Sequence, residues 1–190
     1  MGAQDRTDAK LAAIAPGEYL GVDAPNDKDC PEGYYIVRAT SEVYQLEIAE
    51  ELPEFLDDDG EPLQLPAGSW VVDGEYLNPV RGVTRAKYWY TPYPADDSRR
   101  HVRVPSHFVL HAGFSMPRAV APEAPGSKRK RWGPSDARRA AAGLGAVVLP
   151  IAVHSAMMDE QDLRRERGGG SGWKLQYGRQ VDSSKDWNRY

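Results

Sequence analysis

Over the first two thirds of the chain, apolar positions come in short runs rich in Tyr, Val and Ile, cut by clusters of Pro, Asp and Asn. That spacing predicts β-strands rather than helices. Asp8 to Ala15 reads as a short helix capped by Asp8 and stopped by Pro16-Gly17. Strands follow over Glu18 to Val22, Gly33 to Thr40 and Val43 to Ile48, arranged as a meander. In Tyr34-Tyr35-Ile36-Val37 the apolar run is nearly continuous, which predicts a central strand covered on both faces. In Leu65 to Tyr76, a Trp-bearing strand runs into Asp73-Gly74 and a return strand follows. Because glycine accepts the positive φ of a type I′ turn, this pair predicts a tight hairpin. Further strands are expected at Val83 to Tyr90, Val102 to Val104 and Phe108 to Leu110.

The pattern changes at Pro117. Arg118 to Ser127 is a Pro/Ala linker, and Ser135 can cap a helix whose first turn holds Asp136. Ala140 to Met158 is a run of 19 residues without formal charge, between six cations and Asp159-Glu160. Its length suits a membrane span, but only six of the 19 are Leu, Ile or Val, and Pro150 and His154 oppose insertion. A helix packed on the body or on a neighbouring subunit and broken near Pro150 is the preferred reading, with a strand at Ala146 to Val153 as a further alternative. Asp159 to Arg167 suits an exposed helix, Gly168 to Gly172 a hinge, and the remainder an extended arm.

The expected fold is therefore mainly β (α+β): a small meander or barrel-like body with a C-terminal helix and an extended basic arm. Its parts are an N-terminal polar segment with a short helix (1–16), an acidic β-rich body (17–117), a Pro/Ala and basic linker (118–134), a helical segment (135–167) and a docking arm (168–190).

Charge divides along the same line. Residues 1–127 carry 11 Lys+Arg against 21 Asp+Glu, and residues 128–190 carry 13 against 7, so an acidic body at −10 precedes a basic tail at +6. Such a division predicts that the two parts face different partners, or each other. The single Cys30 forms no internal disulfide and suits a reducing compartment. Met1 to Lys10 lacks the apolar stretch of a secretory signal, so synthesis in the cytoplasm is expected.

The order Pro66-x-Gly68-x-Trp70-Val71-Val72-x-Gly74, followed by Tyr76 and by Val83 to Tyr90, resembles small β-domains of unknown function in actinobacterial phages and mobile elements. The likeness covers about 30 residues, departs at Ser69 where Asp is usual, and implies no activity. It implies a virion or mobile-element setting.

Catalytic signatures do not emerge. Ser69, Ser106, Ser115 and Cys30 lack an elbow motif, and there is no phosphate-cradling glycine loop. His101, His107 and His111 offer permissive zinc spacing without Cys or a nearby Glu, so no metal or other cofactor is assigned; on one strand His107 and His111 would share a face. Seven carboxylates in Glu50 to Glu61 lack the alternation of a calcium loop and read as a solvated acidic turn. The aromatics of Arg85 to Tyr93 could stack bases, but an acidic body repels phosphate, so packing is expected.

The last 18 residues hold Trp173, Tyr177, Trp187 and Tyr190 with Arg179 and Arg189. Solvating tails avoid aromatics, whereas segments that order on a partner use such anchors. The expected function is a structural or interaction protein that assembles with itself or with other subunits through this arm. A nucleic-acid accessory protein using Lys128, Arg129, Lys130, Arg131, Arg138 and Arg139 is an alternative, and a membrane tether through 140–158 is another.

Overall fold

The computed structural model describes residues 11, 14–24, 30, 33–56, 61–80, 88–95, 97, 100–118, 145–166 and 174–175. The fold is mainly β, with one long helix near the C-terminus. The strands are β1 (Tyr19–Asp23), β2 (Tyr34–Ala39), β3 (Tyr44–Gln45), β4 (Glu50–Leu56), β5 (Pro62–Leu65), β6 (Trp70–Pro79), β7 (Trp89–Pro92), β8 (His101–Pro105), β9 (Val109–Phe114), β10 (Val147–Val148) and β11 (Lys174–Leu175). Helix α1 spans Ile151–Glu166.

The main sheet runs β10-β7-β6-β2-β1-β9, with β3 and β8 also on β6. Its spine is β6, a strand of 10 residues. Along one edge of β6, β2 pairs with Gly74 to Leu77 and β3 with Trp70 and Val71, both antiparallel. β3 thus continues β2 in the same direction past an irregularity at residues 40–43, and the expected meander between these two is corrected. Along the opposite edge, β7 and then β8 repeat this arrangement. β8 passes through a 3-10 turn at Ser106–Phe108 directly into β9, which pairs with β1 at the far side of the sheet. A three-residue turn cannot bridge a flat sheet of that width, so the sheet curls into a half-barrel. Register shifts between β1 and β9 at Tyr19/Leu20 and Gly21/Val22 add to the bend.

Asp73-Gly74 is not a turn. Both residues lie inside β6, where Gly74 pairs with Ala39 on β2 and Val102 on β8. Gly74 is required for close approach: a Cβ there would sit 2.3 Å from Val37 Cγ1 and 2.8 Å from the Arg38 carbonyl oxygen. Nor is the acidic stretch a solvated turn throughout, because Glu50–Leu56 forms β4, whose Leu52 and Phe55 face the core.

Two cores result, one on each face of the sheet. The inner one joins Val37, Val71, Val104 and Val109 to the β4–β5 hairpin, where the Phe55 and Phe108 rings lie 4.7 Å apart. The outer one joins Tyr34, Ile36, Leu77, Tyr90 and Leu110 to Val147, Leu149 and Met157. The near-continuous apolar run of β2 is thereby explained: Val37 serves one core, Tyr34 and Ile36 the other. Tyr90 likewise packs in the outer core.

The uncharged run 140–158 is not one helix over its described part. β10 pairs with β7, and α1 begins only after Pro150, whose carbonyl accepts the first helical hydrogen bond from the His154 N–H at 3.1 Å. Proline lacks an N–H and its ring collides with a preceding helical turn, so it starts α1 rather than lying within it. Among the described residues no helix is long and apolar enough to cross a membrane.

Candidate functional site

Three polar arrangements stand out from the apolar framework. The first joins the strands of the sheet. Asp73 and Glu75 share one face of β6, and each meets arginines from neighbouring strands. Glu75, nearly buried, pairs with Arg38 and, at 2.7 Å, with Arg100. Burial alone would raise its carboxyl, but the two guanidinium groups hold it below the usual carboxylate range. Arg103 donates from Nε to Asp73 at 2.8 Å and from Nη1 to Glu50. Tyr44 donates to Asp73 at 2.9 Å; burial and that carboxylate push its hydroxyl up to about 12. Three carboxylates, Glu50, Asp73 and Glu75, are thus matched by three arginines, Arg38, Arg100 and Arg103.

The second arrangement docks α1. Met157 fits where β1 carries Gly21: a Cβ at Gly21 would lie 2.0 Å from Met157 Sδ. Around that contact the seam is polar. Tyr34 and His154 Nδ1 are hydrogen-bonded at 2.6 Å, and Gln161 Nε2 donates to Asp23 at 3.1 Å and to the Gly33 carbonyl. Arg164 donates to the carbonyls of His107 and Val109 at 3.0 and 2.8 Å and lies 3.4 Å from Asp23. Burial raises the Asp23 carboxyl despite the opposing pull of Gln161 and Arg164. Burial, reinforced by the Arg164 charge, lowers the His107 imidazole to about 4. Substituting Gly21 with valine is expected to force Met157 out and loosen α1 at a cost of about 2 kcal/mol. Faster proteolysis within residues 145–166, with the β-body still resistant, would register this; unchanged cleavage would contradict it.

The third arrangement is the second sheet, ordered β11-β4-β5. β5 holds one edge of β4, with Glu50 opposite Leu65, Glu51 opposite Gln64 and Leu52 opposite Leu63. On the other edge, Lys174 lies opposite Leu56 and Leu175 opposite Phe55, antiparallel. The first part of the C-terminal arm is thus a strand added to the acidic hairpin, and Glu51 and Glu54 beside it retain access to solvent.

Of the arm residues singled out in the sequence, Trp173, Tyr177, Arg179, Trp187, Arg189 and Tyr190 lie outside the described residues, as do Lys128, Arg129, Lys130, Arg131, Arg138 and Arg139. So do residues 135–144, the start of the helix expected from Ser135. The histidines do not act together. His101 opens β8, His107 lies in the 3-10 turn rather than on a strand face with His111, and His111 stacks on Phe114 at 5.7 Å. Among the described residues no three His, Cys, Asp or Glu side chains could hold a metal ion. Sequence reasoning missed Asp23, Gln161 and Arg164. The available signal was the helical spacing 154, 157, 161, 164, which lays His, Met, Gln and Arg along one face of α1.

Compared with known proteins, the chain matches no family, no curated protein and no solved structure.

Proposed function

We propose that this protein is a structural or interaction protein that assembles with copies of itself by exchanging its C-terminal arm. The observation that carries this reading is the addition of β11 to the outer edge of β4. A sheet edge offers unpaired N–H and C=O groups to any strand that reaches it, so the same pairing can form within one chain or between two. The described part of β11 is Lys174 and Leu175, and the sequence between α1 and β11 contains Gly168-Gly169-Gly170-Ser171-Gly172, the composition of a linker. Acidic body and basic tail are complementary in either arrangement. In the exchanged form Trp173, Tyr177, Trp187 and Tyr190 are the apolar anchors, and Arg179 and Arg189 pair with carboxylates of the neighbour. The setting we propose, a virion or mobile-element component, rests on the resemblance across Pro66 to Tyr90.

Light scattering on the full chain and on a chain ending at residue 167 tests the reading. A defined oligomer for the first and a folded monomer for the second is the expected result; equal masses for the two would refute it.

A further inference from the structure

We infer that the groove beneath α1 is a recognition site for that helix, and that the α1 of a second copy fills it, so that β10 and α1 pass between subunits as one unit. The inference deepens the proposed exchange by naming the surface that receives the neighbour. It rests on that reading for the premise that the C-terminal part of the chain moves. Three observations carry it.

The first is how the helix is seated. Only Met157 and Gln161 of α1 are buried. Met157 enters the notch that Gly21 leaves in β1, where even a single Cβ would meet its sulfur at 2.0 Å. A flexible, unbranched thioether fills such a slot, and a bulkier side chain does not. The helix is therefore held at one apolar point and otherwise by polar contacts.

The second is the direction of those contacts. The body offers acceptors: both carboxylate oxygens of Asp23 and the carbonyls of Gly33, His107 and Val109. The helix brings the donors, Gln161 Nε2 and the two Nη groups of Arg164. An element without these donors would bury the acceptors unpaired, which costs more than the bonds themselves contribute. Met157, Gln161 and Arg164 stand at i, i+4 and i+7 on one helical face, the spacing by which a groove reads a helix. Every copy of the chain carries the same three anchors and the same groove, so a second copy fits this surface as the first does.

The third is connectivity. The bonds between α1 and the body join residues at least 55 positions apart in the chain. Upstream, Arg118 and Gly145 are separated by residues 119–144. Such a segment reaches at most about 90 Å, so covalent linkage permits docking on the chain's own body or on a neighbour's. β10 adds only Val147 and Val148 to the edge of β7, and Leu149 shares the outer core with Met157. Residues 145–166 accordingly dock and leave together.

The test is complementation between full-length chains that are each defective in one half of the seam. A Gly21→Val chain has a closed groove and an intact helix. An Arg164→Glu chain has an open groove and a helix that Asp23 repels. Alone, each should be cut rapidly within residues 145–166. Mixed in equal amounts, with one chain carrying heavy nitrogen, they should form a heterodimer seen by native mass spectrometry. In it the Gly21→Val helix occupies the Arg164→Glu groove and is cut about tenfold more slowly than in the unmixed chain, because protease reaches only the undocked fraction. A second mixture, Asp23→Lys with Arg164→Glu, guards against misfolding of the valine variant: each chain alone sets like charges together, and both seams of the heterodimer set opposite ones. A protected heterodimer in either mixture supports the inference, and its absence from both, with the β-bodies still resistant, overturns it. The arm reading is judged separately. Equal masses for the full chain and the chain ending at residue 167, beside mixtures that complement, end arm exchange and leave the groove standing; a mass that falls on truncation, beside mixtures that do not complement, does the reverse.

Discussion

Replacing Gly74 with valine should destabilise the protein by about 3 kcal/mol, the upper range for forcing atoms into a packed interior. In a chain of this size that corresponds to a fall in Tm on the order of 10 °C. Gly74 is paired on both sides, to Ala39 and to Val102, so neither neighbouring strand can retreat without losing its ladder. The added side chain would run into Val37, which is fully buried, and into the Arg38 carbonyl. Arg38 in turn holds Glu75, so a shift of β2 would also strain the Arg38–Glu75–Arg100 network. A second variant separates this explanation from the hairpin expected from the sequence. Asparagine is welcome in a type I′ turn, and Gly74→Asn would then be nearly neutral. Inside β6 it should cost about as much as valine, since its Cβ meets the same atoms. Urea unfolding of the two variants beside the parent gives the answer.

The second large effect is a loss of stability in mild acid. The folded-state pKa of His107 is lowered to about 4, below its ordinary value of 6.5, because burial and the nearby Arg164 disfavour the imidazolium. The unfolded chain therefore takes up a proton near pH 6.5 that the folded chain refuses. Stability from this group is fully present above pH 6.5 and falls as the pH drops from 6.5 towards 4, by about 2 kcal/mol at pH 5. Asp23 works the other way. Its carboxyl is raised, so the folded chain accepts that proton first and gains relative stability as the pH falls towards the ordinary carboxylate range. The net slope in the parent is accordingly smaller than His107 alone would give, and Asp23→Asn should steepen it. Glu75, held low by Arg38 and Arg100, gives stability that is fully present above the ordinary carboxylate value and is lost only below it, so it adds nothing to the slope between pH 6.5 and 5. Denaturation at pH 7, 6 and 5 in the parent, in Asp23→Asn and in His107→Gln measures these slopes. Equal slopes in Asp23→Asn and His107→Gln would remove His107 as the cause.

Much of the fold was legible because strand formation in this chain follows local composition. β1, β2, β8 and β9 lie where Tyr, Val and Ile cluster between breakers, and Pro150 marks the start of α1 because its ring and missing N–H act within one helical turn. The errors share one origin. Asp73-Gly74 has the local chemistry of a turn, yet β2 and β8 bond it from both sides and keep it extended. Glu50 to Leu56 has the charge of a solvated loop, but two of its side chains, Leu52 and Phe55, fill the core and draw the segment into a strand.

The site follows the same logic. By itself the sequence determined the β class, the two-sided burial of β2, the acidic body and basic arm, and the glycine-rich stretch before the arm, since each depends on residues close together in the chain. Only the tertiary structure decided that the arm's first strand meets the acidic hairpin, that Gly21 makes room for Met157, and that Asp23, Gln161, Arg164 and the His107 carbonyl converge under α1. Those contacts join residues more than 50 positions apart. Their energies come from burial, charge and register between distant strands, which no local pattern encodes.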